Sequence, residues 1–194
     1  MHELPHFGGV DMQNAIDDHV RLFARIQLQS ASIDAVGALL SRRIGDAHRI
    51  LVAGNGGSAA DAQHFTAELV GRFQVNRRAL PCIALSTDTS NLTAIGNDFG
   101  FSMIFARQIE ALGQSGDAFI GISTSGNSEN IIAAVNQAKK QGLTTIGLLG
   151  RNGGTLASLV DHAVVIPDDT TARIQEAHIF ILHCWADQIE RGIL

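Results

Sequence analysis

The chain of 194 residues has only two cysteines, Cys82 and Cys184. Two are too few for a disulfide framework, and neither belongs to a Cys-x-x-Cys pair. Both are expected to be buried and inert. Basic residues are not in excess: 14 Lys+Arg face 19 Asp+Glu, for a net charge of −5. That balance argues against a protein that grips nucleic acid through its phosphates. No apolar run approaches the ~18 residues needed to cross a bilayer. The opening residues, 1–13, lack the basic start and apolar stretch of a signal peptide. The expectation is a cytoplasmic protein with no membrane contact and no direct nucleic-acid partner. No GxxxxGK[ST] motif occurs, which excludes an NTPase P-loop. There is no tandem repeat and no low-complexity segment. Proline is scarce, and Pro81 and Pro167 fall beside apolar runs, where they harm a sheet least. Hydrophobic residues at 45% and charged residues at 17% describe a chain able to bury a real core. The 20 glycines, several of them clustered, give a first hint of ligand loops.

Residues 1–10 read as a loose tail and 11–194 as one domain. Over 11–45 the apolar residues recur at helical spacing: Ile16, Val20, Phe23 and Ile26, then Ile33, Val36, Leu39 and Leu40. Two consecutive helices fit this stretch, with an N-cap at Ser30–Ala31–Ser32 between them. They are expected to lie outside the core and to serve oligomerisation. From residue 46 the pattern changes. Short apolar runs at 49–54, 82–86, 118–123 and 144–149, with a weaker fifth at 163–166, suit strands buried on both faces. Helical patterns at 59–73, 101–112, 128–142 and 154–160 alternate with them, and a last helix covers 172–190. This alternation predicts an α/β domain, a parallel sheet with helices on both sides. Ligands of such folds bind at the carboxyl ends of the strands.

Two strand-to-helix loops carry the unusual residues. The first is Gly54-Asn55-Gly56-Gly57-Ser58. The second is Ser123-Thr124-Ser125-Gly126-Asn127-Ser128, with four hydroxyls in six residues. Glycine admits close backbone approach, and a helix N-terminus offers free N–H groups to an anion. One serine there would be a cap. Four hydroxyls and a glycine favour a phosphomonoester held by neutral donors. Gly54-x-Gly56-x-x-Ala59 nearly matches a dinucleotide fingerprint, but no acidic residue stands about twenty positions on. No nucleotide cofactor is expected.

Helices carry the second constellation. His64 and Glu68 differ by roughly 40° around a helix axis and share a face, fit for a metal or for a base beside a substrate. On the last helix Gln175 and His183 fall within roughly 80° of each other, while His178 points elsewhere. The segment around His183 is strongly apolar, where a histidine is commonly a satisfied core residue. Gly96-Asn97-Asp98 reads as turn chemistry in a connection. Arg72 and Asn76-Arg77-Arg78 fit a basic rim for an anionic substrate or a solvated face, and the solvated face is favoured for Arg77 and Arg78.

GNGGSAADAQH, GNDFGF, GISTSGNS and ARIQEAH, in this order and spacing, resemble the bacterial phosphoheptose isomerases of the sugar-isomerase (SIS) domain superfamily. The resemblance runs from about residue 12 to 194. It implies a three-layer α/β/α sandwich with a five-stranded parallel sheet, and a homotetramer. It implies conversion of sedoheptulose 7-phosphate to D-glycero-D-manno-heptose 7-phosphate, the first step towards the ADP-heptose of lipopolysaccharide or a GDP-heptose. It implies zinc on His64, Glu68, Gln175 and His183, with Glu68 and His183 as acid and base. Substrate positions implied are Asn55, Gly56, Gly57, Ser58, Glu68, Asn97, Asp98, Ser123, Thr124, Ser125, Ser128 and Gln175. Some family members have Asp where Ala172 stands here. A sister group, the DnaA initiator-associating protein, is similar in its ARIQE segment and gives a non-enzymatic alternative. It differs at the positions matching Glu68 and His183, where this chain keeps the isomerase residues.

Overall fold

The computed structural model describes residues 11–194. The tail expected at 1–10 lies outside the described residues. Five parallel strands form one sheet: β1 Ile50–Gly54, β2 Cys82–Ala84, β3 Ala118–Ser123, β4 Thr144–Gly150 and β5 His162–Ile166. Their order is β2-β1-β3-β4-β5. Among the described residues eight α-helices surround them: α1 Met12–Gln27, α2 Ser30–Gly45, α3 Gly57–Val70, α4 Thr89–Phe99, α5 Ala106–Leu112, α6 Glu129–Lys140, α7 Leu156–Leu159 and α8 Thr171–Gly192. A 3₁₀ turn, Phe101–Met103, sits between α4 and α5.

Three layers follow from the strand sequences. Successive strand side chains point to opposite faces, and both faces are apolar. Ile50, Val52, Ile120, Ile122, Ile146 and Leu148 join a core with α1, α2, α3 and α8. Leu51, Ala53, Phe119 and Leu149 join a second core with α5, α6 and α7. Every residue of β1 and β3 is buried, which is why these strands read as unbroken apolar runs.

Four expectations need correction here. The second helix is not capped within Ser30–Ala31–Ser32: it starts at Ser30, after Gln29, and Ser32 Oγ instead donates to Gln29 O (2.8 Å). Nor does α2 lie outside the core. Its Ile33, Val36, Leu40 and Ile44 are buried, and the fully buried Trp185 of α8 donates its Nε1–H to Ile33 O (2.9 Å). Residues 96–98 are not a turn, because they belong to α4. That helix is capped by Asp88, whose carboxylate accepts from Asn91 N (3.0 Å). It has no fully buried residue and is rich in poor helix formers, so it shows no apolar stripe. The helix expected at 101–112 is the 3₁₀ turn followed by α5. The remaining strands and helices lie within a few residues of where the patterns put them.

The strand order fixes where the site must be. From β1 the chain crosses outward to β2, then returns past β1 to β3. The order reverses between β1 and β3, and such a switch point leaves a crevice at the strands' carboxyl ends. Gly54 ends β1 opposite Ile122, one residue before the end of β3. The two glycine- and hydroxyl-bearing loops therefore leave the sheet side by side.

Candidate active site

The two loops are joined by an amide pair. Asn55 Nδ2 donates to Asn130 Oδ1 (2.9 Å), and Asn130 Nδ2 returns a bond to Asn55 Oδ1 (2.8 Å). Asn130 is buried in the first turn of α6. Beside this pair is a cleft of about 310 Å³ lined by Asn55, Phe101, Ser102, Ser128, Glu129 and Asn130. A larger cleft, about 530 Å³, lies at the ends of β4 and β5 against Arg25, Arg151, Asp168 and Asp169, and contains none of the motif residues.

In the second loop the hydroxyls converge. Ser123 Oγ lies 2.9 Å from Ser128 Oγ and 3.4 Å from Ser125 Oγ, and accepts from Gly126 N (3.1 Å). Ser125 Oγ accepts from Asn127 N (3.1 Å). Ser128 precedes α6 as its N-cap, yet makes no capping hydrogen bond. The first amide groups of α6 are thus not taken up by that side chain, and they keep the positive end of the helix dipole. Thr124 is half-buried between these serines. Gly126 has φ +68°, and a Cβ there would fall 2.0 Å from Gly153 O. Only glycine fits this turn.

The second constellation also assembles. His64 on α3 and His183 on α8 meet through Nε2 atoms 2.9 Å apart, and Glu68 Oε1 lies 3.2 Å from His64 Nε2. One ligand atom from each of the three lies within 4.8 Å of the others. Zinc bonds of ~2.1 Å at tetrahedral angles separate ligand atoms by roughly 3.3 Å, so the donor set and its spacing fit a zinc ion. Two imidazoles meeting through like nitrogens can share one proton or turn both lone pairs on one cation. His183 is half-buried, and the ring of Phe73 stacks on it at 5.7 Å between centroids.

The remaining predicted residues are placed less centrally. Gln175 lies against Gly57, where an added Cβ would fall 2.3 Å from its Nε2. That contact is two turns before His183 on α8. Gly56 is exposed with φ +55° and Ser58 is buried at the start of α3. Asn97 and Asp98 are exposed near the end of α4, with Asn97 Nδ2 donating to Asp98 Oδ1 (2.7 Å). They do not line the 310 Å³ cleft. Arg72 and Arg78 are exposed. Arg77 overturns the solvated-face expectation, since its side chain is only 4% exposed and pairs with Glu190. His178 is buried, with Nε2 3.1 Å from Leu149 O, and burial pushes its pKa down to about 4. Cys82 is buried and its thiol is pushed up to about 12 by that burial, whereas Cys184 is half-buried.

Residues 16–150 match the family model for the SIS domain. The phosphoheptose isomerase of Geotalea daltonii is 53% identical over 184 residues, covering 94% of this chain and 96% of that one. The chain belongs to the phosphoheptose isomerase family of SIS domains. Two solved structures of the family have the same architecture. The phosphoheptose isomerase of Neisseria gonorrhoeae matches with a TM-score of 0.87 at 41% identity, over 92% of this chain and 96% of that one. The Francisella tularensis phosphoheptose isomerase matches with the same TM-score at 35% identity and the same coverage. No helix among the described residues is long and apolar enough to cross a membrane.

Several residues beside the family's motif positions escaped the sequence reading. Asn130 recurs with Ala134 and Ala138 at four-residue spacing on the buried side of α6, so a polar residue on an apolar stripe was its signal. Glu190 stands in the same way after Leu182 and Ala186 on α8. Asp61 lies one turn before His64. Burial pushes its pKa up to about 6, partly offset by the charge of His64, and its Oδ2 has no hydrogen-bond partner. Phe73 gave no signal, because its contact with His183 depends on the loop after α3.

Proposed function

We propose that this protein isomerises sedoheptulose 7-phosphate to D-glycero-D-manno-heptose 7-phosphate, feeding ADP- or GDP-heptose synthesis. The observation that carries this reading is the meeting of His64 and Glu68, on the helix that the glycine loop opens, with His183 on α8. The named relatives are phosphoheptose isomerases. The initiator-associating alternative draws no support from them.

A ketose–aldose isomerisation moves one proton between adjacent carbons and one between their oxygens. The Glu68 carboxylate takes the proton from C1 as the C2 carbonyl oxygen receives a proton from His183. The product is an enediol. The O1 proton then passes to His183, and Glu68 returns its proton to C2, leaving an aldehyde at C1. The sum is balanced, with no oxidant or second substrate. Both groups need access to adjacent substrate atoms, which their shared position supplies. The phosphate at the far end of the sugar is held by Ser123, Thr124, Ser125 and Ser128 with the α6 amides, and Asn55, Gly56, Gly57 and Ser58 face the sugar. Asn97 and Asp98 serve the sugar only if α4 is completed by a further element, such as a neighbouring subunit.

His64, Glu68 and His183, with Gln175 as the fourth ligand that the family resemblance implies, would hold a zinc ion. Bound there, zinc would supply Lewis-acid polarisation of a carbonyl oxygen. The protein is read as a cytoplasmic homotetramer. The outward stripe Met12, Ile16 and Val20 on α1, at 73%, 48% and 61% exposure, supports an oligomer. A monomer in sedimentation at micromolar concentration would remove that part of the reading.

Glu68→Gln tests the chemistry. Turnover of sedoheptulose 7-phosphate should fall by about 10²–10⁴-fold, the usual worth of a general base, while substrate still binds. Wild-type turnover in this variant would remove Glu68 from the mechanism.

A further inference from the structure

Helices α3 and α8 run side by side in the same direction, and their register is held at three levels. Gly57 meets Gln175 at the start, and His64 meets His183 two turns on. The third level lies beyond the end of α3. There Glu190, seven residues after His183 and within roughly 20° of it around α8, points into the protein. Its side chain is 2% exposed and that of Arg77 is 4% exposed.

We infer that the buried Glu190–Arg77 pair is a positioning device for the acid–base groups Glu68 and His183, acting through the backbone of α3 and the ring of Phe73. This inference rests on the isomerase reading above.

The contacts run to both groups. Arg77 Nη2 donates to the backbone oxygen of Glu68 itself (2.7 Å). Arg77 Nη1 donates to Leu69 O (2.7 Å), Gly71 O (3.2 Å) and Arg78 O (3.0 Å). The bonds to Glu68 O and Leu69 O reach carbonyls in the last turn of α3 that have no partner within the helix, Leu69 O being shared with Leu80 N (3.1 Å). Arg77 Nε lies 3.2 Å from Glu190 Oε1, close enough for an ion pair but not aligned for a hydrogen bond. Glu190 in turn accepts from three successive amides: Phe73 N (3.1 Å), Gln74 N (2.8 Å) and Val75 N (2.9 Å). Holding Phe73 N holds the backbone that carries the ring stacked on His183, at 27° between planes. One carboxylate on α8 therefore holds the loop whose aromatic ring rests on His183, and its arginine partner holds the turn of α3 that carries Glu68.

Energetics favour a role in geometry. Burial disfavours the ionised carboxyl of Glu190, but the three amides and the Arg77 charge outweigh it and leave its pKa below the usual carboxylate range. A buried ion pair adds little stability relative to an apolar pair of the same volume. What it does add is direction, since seven hydrogen bonds and one ion pair meet at one junction.

The test uses the full-length protein with sedoheptulose 7-phosphate, measuring kcat and KM separately in Glu190→Gln, Phe73→Leu, Phe73→Tyr and Glu68→Gln. Glu190→Gln puts an amide N–H against backbone donors, and Phe73→Leu removes the stacked ring without touching Glu190. Both should lower kcat by about 10–100-fold, as a misplacement of about an ångström does. KM should stay within about threefold, because the phosphate loop is untouched. Phe73→Tyr keeps the ring and should stay within about threefold of the wild-type kcat. A purely structural role would not distinguish Tyr from Leu. If Glu190→Gln does not fold, the Phe73 pair decides. Wild-type kcat in folded Glu190→Gln or Phe73→Leu, a loss confined to KM, or equal loss in Phe73→Tyr overturns the inference. An active Glu68→Gln overturns the acid–base reading and this inference with it. An inactive Glu68→Gln beside a fully active Phe73→Leu overturns the inference alone.

Discussion

Adding one methyl group at two glycines should have opposite effects. In Gly126→Ala the new Cβ falls 2.0 Å from Gly153 O, 2.2 Å from Gly153 C and 2.7 Å from Gly154 N. All three are backbone atoms, so no rotamer change relieves the clash. The φ of +68° adds about 1–2 kcal/mol for any residue with a Cβ. Relief requires the two loops to part, but Leu156 N bonds Gly126 O (3.0 Å) and Asn127 Oδ1 accepts from Thr155 N (2.9 Å). Losing one or two such bonds costs about 1 kcal/mol each. The total is about 3 kcal/mol, a urea midpoint lower by about 1–2 M at a fixed protein concentration. Because Gly126 N also anchors Ser123 Oγ, the dissociation constant for sedoheptulose 7-phosphate should rise at least about tenfold by calorimetry. Gly45 closes α2 in the open, with nothing within 4 Å of an added Cβ. Gly45→Ala should gain about 0.5–1 kcal/mol and leave binding unchanged. A Gly126→Ala protein as stable as wild type, with the same affinity, would refute both the loop geometry and its assignment to phosphate.

Three further outcomes follow from the site. Ser125→Ala combined with Ser128→Ala should weaken sugar-phosphate binding by about 10–100-fold with little loss of fold, since two neutral donors each contribute about 1 kcal/mol or more; an unchanged calorimetric constant would remove the loop from phosphate binding. Dialysis against a chelator should strip zinc, and zinc titration of the stripped protein should show one tight site that His64→Ala and His183→Ala lose; equal zinc uptake by those variants would refute the ligand set. For Asp61 the folded pKa is about 6, above its ordinary 3.8, so its contribution to stability is full below pH 3.8 and is lost as pH rises through about 6. Asp61→Asn should therefore be more stable than wild type at pH 7.5 in metal-free buffer, with the difference shrinking towards pH 4 in urea melts; a constant difference across that range would refute the burial argument.

What the sequence disclosed depended on burial that leaves a periodic trace. β1 and β3 are buried on both faces, so their apolar runs are continuous and their ends fall close to the pattern's. The helix α4 leaves no trace because none of its residues is fully buried, and Gly96-Asn97-Asp98 looks like a turn on chemistry alone. His64 and Glu68 are neighbours through helical periodicity, which a sequence displays. Their meeting with His183 spans 119 residues and depends on α3 and α8 lying side by side, which no local pattern encodes. Arg77 was misread for the same reason. In a run of Asn76-Arg77-Arg78 it looks solvated, and only Glu190 on a distant helix explains its burial. The resemblance to a family supplied the long-range part that periodicity could not, but only at motif positions, and so it was silent on Phe73 and Glu190.

On the proposed assignment of the site residues, binding and chemistry are separated in this fold. The hydroxyl loop opens α6, whose apolar face packs into one core, while His64, Glu68 and His183 stand on α3 and α8, which pack into the other. The two halves therefore lie on opposite sides of the sheet and meet only at its carboxyl edge, between β1 and β3. The bridge there is the reciprocal amide pair Asn55–Asn130. A sugar phosphate that reacts at C1 and C2 and carries its charge on C7 has the same division. Its phosphate can be held on the α6 side while its reacting carbons reach the α3–α8 side. Binding energy from the phosphate then orients carbons it does not touch, which is how remote contacts raise the rate of a reaction. For that coupling to work the two halves must keep a fixed distance, and a rigid parallel sheet between them provides it.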